Sequence, residues 1–136
     1  MIVADTNTIA YLYLPSDFSE YVEALLLKDS HWIAPLLWRS ELRNILALYM
    51  RKELISMSDA LEIQQQAELL MADNEYTVSS FDVLEMAKSS GCSAYDSEFI
   101  CLANNEKCKL ITADKKIIKA FPDIALTAKD FISRTF

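Results

Sequence analysis

Four carboxylates stand where an acid is costly or conspicuous: Asp5, Glu41, Asp96 and Asp114. Asp5 ends the apolar run Met1–Ala4 and is followed by Thr6 and Asn7, and Asp114 ends LITAD in the same manner. Either one suits a helix N-cap, because a strand-to-helix turn wants an oxygen acceptor and Asp is among the best. Glu41 is harder to explain by capping. In LLWRSELRNILALYM, the residues Trp38, Leu42, Ile45, Leu46 and Tyr49 recur at the spacing of a buried helix face. At ~100° per residue Glu41 falls inside that arc, between Ile45 and Leu48, while Arg39, Ser40 and Arg43 take the opposite side. A carboxylate on a core-facing stripe needs a salt bridge, a proton or a metal ion to offset its desolvation. Asp96 precedes Phe99, Ile100 and Ala103 at helical spacings, so it shares their inward face.

One explanation serves all four. If the strands ending at Asp5 and Asp114 are neighbours, the two carboxylates stand roughly 5 Å apart, one strand spacing. Acids that close repel strongly unless a cation bridges them. The chain holds a single His and three Cys, and Cys92, Cys101 and Cys108 show no C-x-x-C spacing. Histidine-rich metal sites are therefore impossible, and the cysteines read as free thiols of a reducing compartment. His31 opens the apolar run His-Trp-Ile-Ala and reads as a strand-edge residue. An oxygen-only ligand set selects Mg²⁺ or Mn²⁺ over Zn²⁺. One or two such ions can activate a water and stabilise the leaving oxygen in phosphodiester cleavage.

The elements that must position these acids alternate in type. Strands are expected at Met1–Ala4, His31–Ala34, Tyr76–Val78, Leu110–Thr112 and Ile124–Leu126. Between them fall helices from Ile9 through about Leu14, at Phe18–Leu27, from Pro35 to about Arg51, and at Ser56–Ala72 with Ser58 as cap. Further helices are expected at Phe81–Ser89, Asp96–Asn104, Lys115–Phe121 and Ala128–Ser133. Such alternation implies α/β architecture, with parallel strands and helices on both faces of the sheet. Sheets of this kind bind ligands at the carboxyl ends of the strands, where the strand order reverses.

The totals agree with a well-cored protein. The chain has 136 residues, 52% hydrophobic and 24% charged, with one Gly and three Pro. That favours one domain over 1–136, without internal repeats or low-complexity linkers. A net charge of −7 weighs against broad coating of nucleic acid, yet leaves room for a small polynucleotide site whose positive charge is a metal ion. The longest apolar runs are far short of the ~20 residues of a membrane span, and no basic segment precedes an apolar one at the N-terminus. A cytoplasmic protein with no membrane association is expected.

The stretches IVADTN, APLLWRSELRNIL (Ala34–Leu46), SAYDSEFICLA (Ser93–Ala103) and LITAD (Leu110–Asp114) together resemble the PIN-domain nucleases, and within them the VapC-type toxins of toxin–antitoxin pairs. Each stretch is a weak signal by itself, but they occur in the family's order over nearly the whole chain. The resemblance implies a three-layer α/β/α sandwich (PIN-like) on a mostly parallel sheet of four to five strands. It implies a metal-dependent endoribonuclease using Mg²⁺ or Mn²⁺, with Asp5, Glu41, Asp96 and Asp114 as metal-binding catalytic residues. Asn7 and Thr112 match the family's supporting polar positions. Ser97 stands where Ala is common and Phe99 where Tyr is common. The same resemblance implies an RNA substrate, a VapB-like antitoxin partner and a homodimer. Arg39 and Arg43 beside Glu41, and Lys115, Lys116 and Lys119 after Asp114, are candidate phosphate contacts.

Other readings fit less well. A haloacid-dehalogenase-type phosphatase also opens with a strand and Asp, but it needs a second Asp where Asn7 stands. A response-regulator receiver needs an Asp at the end of the third strand, and Tyr76–Ser80 carries none. An unpaired PIN nuclease of RNA processing or decay is the closest alternative. A PIN-like module kept only for binding is a weaker one, because no acid of the four is lost.

Overall fold

Ile2, Val3 and Ala4 are all buried, alternate positions alike, which a strand achieves only when both sheet faces are covered. The computed structural model describes residues 1–134 and places this strand, β1 (Ile2–Ala4), at the centre of a five-stranded sheet. Its companions are β2 (Trp32–Pro35), β3 (Glu75–Tyr76), β4 (Lys109–Ile111) and β5 (Ala125–Leu126), in the order β3-β2-β1-β4-β5. Every neighbouring pair is parallel, with Val3 opposite Ile33 on one side and Leu110 on the other.

The helices are α1 (Thr6–Ala10), α2 (Ser19–Lys28), α3 (Leu37–Arg51), α4 (Met57–Leu70), α5 (Ser80–Ser90), α6 (Ala94–Glu106), α7 (Lys115–Ala120) and α8 (Ala128–Ser133). Parallel crossovers are right-handed. The steps β1→β2→β3 run toward one sheet edge, which puts α1 to α4 on one face. The return to β4 and onward to β5 puts α5, α6 and α7 on the other. Contacts agree with this: α3 packs on α1 and α4, and α2 on α8, while α5 packs on α6 and α6 lies across β1, β2 and β4. The result is the three-layer α/β/α sandwich. The order reverses between β1 and β4, so the carboxyl ends of these two strands border the crevice where such sheets take ligands.

The core is one apolar cluster on both sides of the sheet, with Ile2, Ile33 and Leu110 from strands and Ile9, Leu25, Trp38, Leu42 and Ile100 from helices. Each fully buried aliphatic side chain of this kind stabilises by roughly 1.5–3 kcal/mol. Trp32 and Trp38 are buried, but their indole N–H groups still find acceptors, the Asp29 carbonyl at 2.8 Å and Glu75 Oε2 at 2.9 Å.

Three local expectations are corrected. Pro35 closes β2 instead of opening the next helix. Leu36 N–H donates to the Tyr76 carbonyl and Ala34 N–H to that of Asn74, so Pro35 falls at the position of the β3 ladder that needs no donor. The cap of α4 is Ser56, not Ser58. Asp59 stands three residues after Ser56 and completes a capping box, whereas Ser58 has Leu61 at that offset. The first helix starts at Thr6, earlier than its apolar run suggests, because Asp5 caps it. The three cysteines are free thiols, and exposed His31 stands just ahead of β2.

Candidate active site

Asp5 follows β1 directly, and its backbone N–H donates to the Ile111 carbonyl of β4 at 3.2 Å. That bond fixes the residue at the reversal point of the sheet. Its Oδ1 caps α1, accepting from Thr8 N at 2.8 Å and from Thr8 Oγ1 at 2.6 Å. Thr8 Oγ1 also lies 3.2 Å from the Ile111 carbonyl, which ties the cap back to the sheet. Asp114 behaves alike beyond β4: its Oδ1 accepts from Lys116 N at 2.9 Å and Ile117 N at 3.2 Å, capping α7. Buried Thr112 lies between the two aspartates. Its Oγ1 accepts from Asp114 N at 3.1 Å.

Glu41 arrives from α3, where Trp38, Leu42 and Leu46 are buried and fix the rotation of the helix. Half-buried, its Oε1 accepts from Thr6 Oγ1 at 2.7 Å. Asp96 sits in the first turn of α6, held by Ser93, whose Oγ accepts from Asp96 N at 3.0 Å. Phe99 and Ile100 anchor the same helix in the core. All four acids line one cavity of about 580 Å³ at the carboxyl ends of β1 and β4. Asn7 is exposed on its rim and Thr112 forms part of its floor.

The electrostatics are lopsided. No Lys, Arg or His among the described residues lines the cavity. Desolvation raises the Asp5 carboxyl above the ordinary range against hydrogen bonds from Thr112 and Thr8, and the charge of Asp114 raises it further. Burial raises Glu41 too; the Thr6 hydroxyl opposes that shift, while Asp96, Asp5 and Glu98 add to it. Among the described residues, no three acidic, His or Cys side chains are close enough together to hold an ion. The carboxylates ring the cavity, and their mutual repulsion disfavours closer approach without a counter-charge. A hard divalent cation fits this donor set: all oxygens, those of Asp5 and Glu41 desolvated, with no protein cation lining the cavity among the described residues to neutralise them.

The basic candidates lie outside the cavity. Arg39 is corrected most plainly. Its guanidinium is forked onto Glu75, with Nη2 at 2.7 Å from Oε1, and reaches Glu68 Oε1 at 2.9 Å, so it joins α3 to β3 and α4. Arg43, Lys115, Lys116 and Lys119 are exposed on α3 and α7. Ser40, expected away from Glu41, lines the cavity together with Asn44 and Tyr95. Thr6 and Thr8 were not singled out by sequence. Thr8 carries a signal, since it stands three residues after a capping Asp, but Thr6 has none, its partner being 35 positions away.

Comparison with known proteins finds relatives of this fold. The PIN domain family model matches residues 2–122. Ribonuclease VapC3 of Pyrobaculum aerophilum is 28% identical over 134 residues, covering 89% of this chain and 95% of that protein. The crystal structure of FitAcB from Neisseria gonorrhoeae superposes with a TM-score of 0.71 at 20% identity, over 95% of this chain and 99% of that one. A toxin–antitoxin complex from Klebsiella pneumoniae superposes with a TM-score of 0.63 at 15% identity, over 94% and 98%. The matched span of the family model runs from β1 through α7 and contains every residue that borders the acidic cavity. The chain belongs to the PIN-domain family.

Proposed function

We propose that the protein is a metal-dependent endoribonuclease and the toxin of a VapC-type toxin–antitoxin pair. The observation that carries this is the ring of four carboxylates at the sheet's reversal point, without one protein cation among the described residues of the cavity wall. Asp5, Glu41, Asp96 and Asp114 would hold Mg²⁺ or Mn²⁺, which when bound supplies activation of water and neutralisation of charge on phosphate oxygens. The chain's own residues do the rest. Thr6 and Thr8 hold Glu41 and Asp5 in fixed orientations, and Thr112 holds the backbone of Asp114. Asn7, Ser40 and Asn44 offer neutral hydrogen-bonding groups at the cavity wall for ribose or phosphate oxygens. Arg43, Lys115, Lys116 and Lys119 are the candidate contacts to flanking phosphates; Arg39 is committed to its ion pairs.

The name of the Pyrobaculum relative supports RNA as the substrate. The Klebsiella neighbour, itself a toxin–antitoxin complex, supports an antitoxin partner, and the sequence resemblance makes that partner VapB-like. A homodimer and a cytoplasmic location belong to the same reading; no helix among the described residues is long and apolar enough to cross a membrane. The test is incubation of purified protein with structured and single-stranded RNA, with Mg²⁺ or Mn²⁺ and with EDTA. Cleavage confined to unpaired segments and abolished by EDTA is expected, because unstacked nucleotides can bring a phosphate to a recessed centre. Cleavage undiminished by EDTA would sink the metal mechanism.

A further inference from the structure

Beside the acidic cavity lies a second, smaller cleft whose walls are mostly apolar. Tyr11 leaves the end of α1 and stacks on Phe18, with ring centroids 5.3 Å apart and planes 27° from parallel. Tyr21 of α2 faces the same space, and the small side chains of Ala113 and Ala128 leave the gap between them open. Lys129 borders the cleft with its Nζ 5.7 Å from the Tyr21 ring centroid. Phe18 is 44% exposed, the least covered of the three aromatic walls.

Thr112 lines both the cleft and the acidic cavity. Thr8, which also borders the cleft, is the residue that holds Asp5. The two spaces therefore share a wall one side chain thick. We infer that the cleft is a stacking subsite for one nucleobase of single-stranded RNA, adjacent to the phosphate cleaved at the four acids. This rests on the ribonuclease reading above. Aromatic faces accept any base by stacking, and a lysine beside them meets the next phosphate, the combination that single-strand binders use. The threonine hydroxyls at the cleft wall are already engaged: Thr8 Oγ1 with Asp5 and the Ile111 carbonyl, Thr112 Oγ1 with Asp114 N, and Thr127 Oγ1 with Asp130 N. Those hydroxyls are not free to read a base edge, and the ring faces stack on any base, so the subsite tolerates different bases. The exposed ammonium favours a nucleotide over an apolar protein side chain, which has no charge for it to meet.

The test uses the full chain, loaded with Mg²⁺ or Mn²⁺, and a labelled single-stranded RNA whose cleavage position has been mapped. Two variants change the cleft in opposite ways. Phe18→Ala removes a wall at an exposed position, and Ala128→Leu fills the gap while keeping every aromatic ring. Both are expected to raise KM about tenfold with kcat nearly unchanged, the scale of one lost base stack. An RNA abasic at the adjoining nucleotide should show the same rise with the parent and no further rise with either variant. Iodouridine at that nucleotide should photocrosslink to Tyr11, Phe18 or Tyr21. An active parent whose two variants cleave with unaltered KM, or whose crosslinks fall elsewhere, overturns the subsite alone. A parent that cleaves no RNA overturns the ribonuclease reading, and the subsite with it.

Discussion

Asp5 is a cap and, in the proposed mechanism, a ligand at once. The cap contacts use Oδ1, and Asn caps a helix about as well as Asp. Asp5→Asn is therefore expected to keep the fold while cleavage collapses. Without metal the variant should be at least as stable as the parent, because it removes a desolvated charge that Asp114 repels. Mg²⁺ at a hundred times its Kd should stabilise the parent by about 2.7 kcal/mol and the variant less, read from thermal melts. Full activity with the parent's metal response would leave Asp5 a cap only. Thr6 is the second residue to test. Its hydroxyl is the donor that holds Glu41, so Thr6→Val should lower Mn²⁺ affinity by about 10–100-fold, as losses behind a metal ligand do. Thr6→Ser should restore it. Calorimetric titration of Mn²⁺ gives this readout independently of cleavage, and equal affinities in the Val and Ser variants would remove Thr6 from the site.

At the scale of elements, the Arg39–Glu75 pair holds three pieces together: the start of α3, the edge strand β3 and, through Glu68, helix α4. The Arg39 side chain is about one-third exposed while Glu75 is largely covered, which lessens but does not abolish the gain. Glu75→Gln should cost about 1–2 kcal/mol at neutral pH, since the Arg39 and Trp38 donors lose a charged acceptor. The pH dependence has a definite sign. Hydrogen bonding to Arg39 lowers the Glu75 carboxyl below its unfolded value, so its contribution is fully present above the unfolded pKa of roughly 4.3. It is lost as pH falls from there through the lowered folded value. Urea melts of parent and variant should converge over that window, and a constant difference would show that packing, not charge, carries the effect. Helix α6 holds a different flaw. Ser97 is fully buried and its Oγ has no hydrogen-bond partner among the described residues. Ser97→Ala should raise stability by about 0.5–2 kcal/mol, through removal of an unsatisfied hydroxyl and a better helix former. A urea midpoint lower in this variant than in the parent would mean that the Ser97 hydroxyl does have a partner.

The whole molecule carries a charge of −7, and its free surface cations near the cavity are few. RNA affinity should consequently depend only weakly on salt, with a shallow slope of log K against log salt. Arg43→Ala and Lys115→Ala should each reduce that slope by about one if they touch phosphates, with Mn²⁺ affinity unaffected. Fluorescence anisotropy of labelled RNA over a salt series measures this. Unchanged slopes in both variants would make the two residues ordinary surface charge.

The sequence by itself determined the alternation of strand and helix and the identity of the unusual acids. Periodicity and strand-end position are local properties, written in residues a few places apart. They made Glu41 conspicuous on its apolar face and Asp96 on its own. Only the tertiary structure decided that β1 lies between β2 and β4, which puts Asp5 and Asp114 on adjacent strands. It decided that Thr6 serves Glu41, and that Arg39 turns from the cavity to Glu75 across 36 residues. It also decided that Pro35 ends a strand, since the ladder position that tolerates a missing N–H depends on the neighbouring strand's register. Pairings between distant residues leave no periodic mark in the chain, because what selects them is the closing of the sheet.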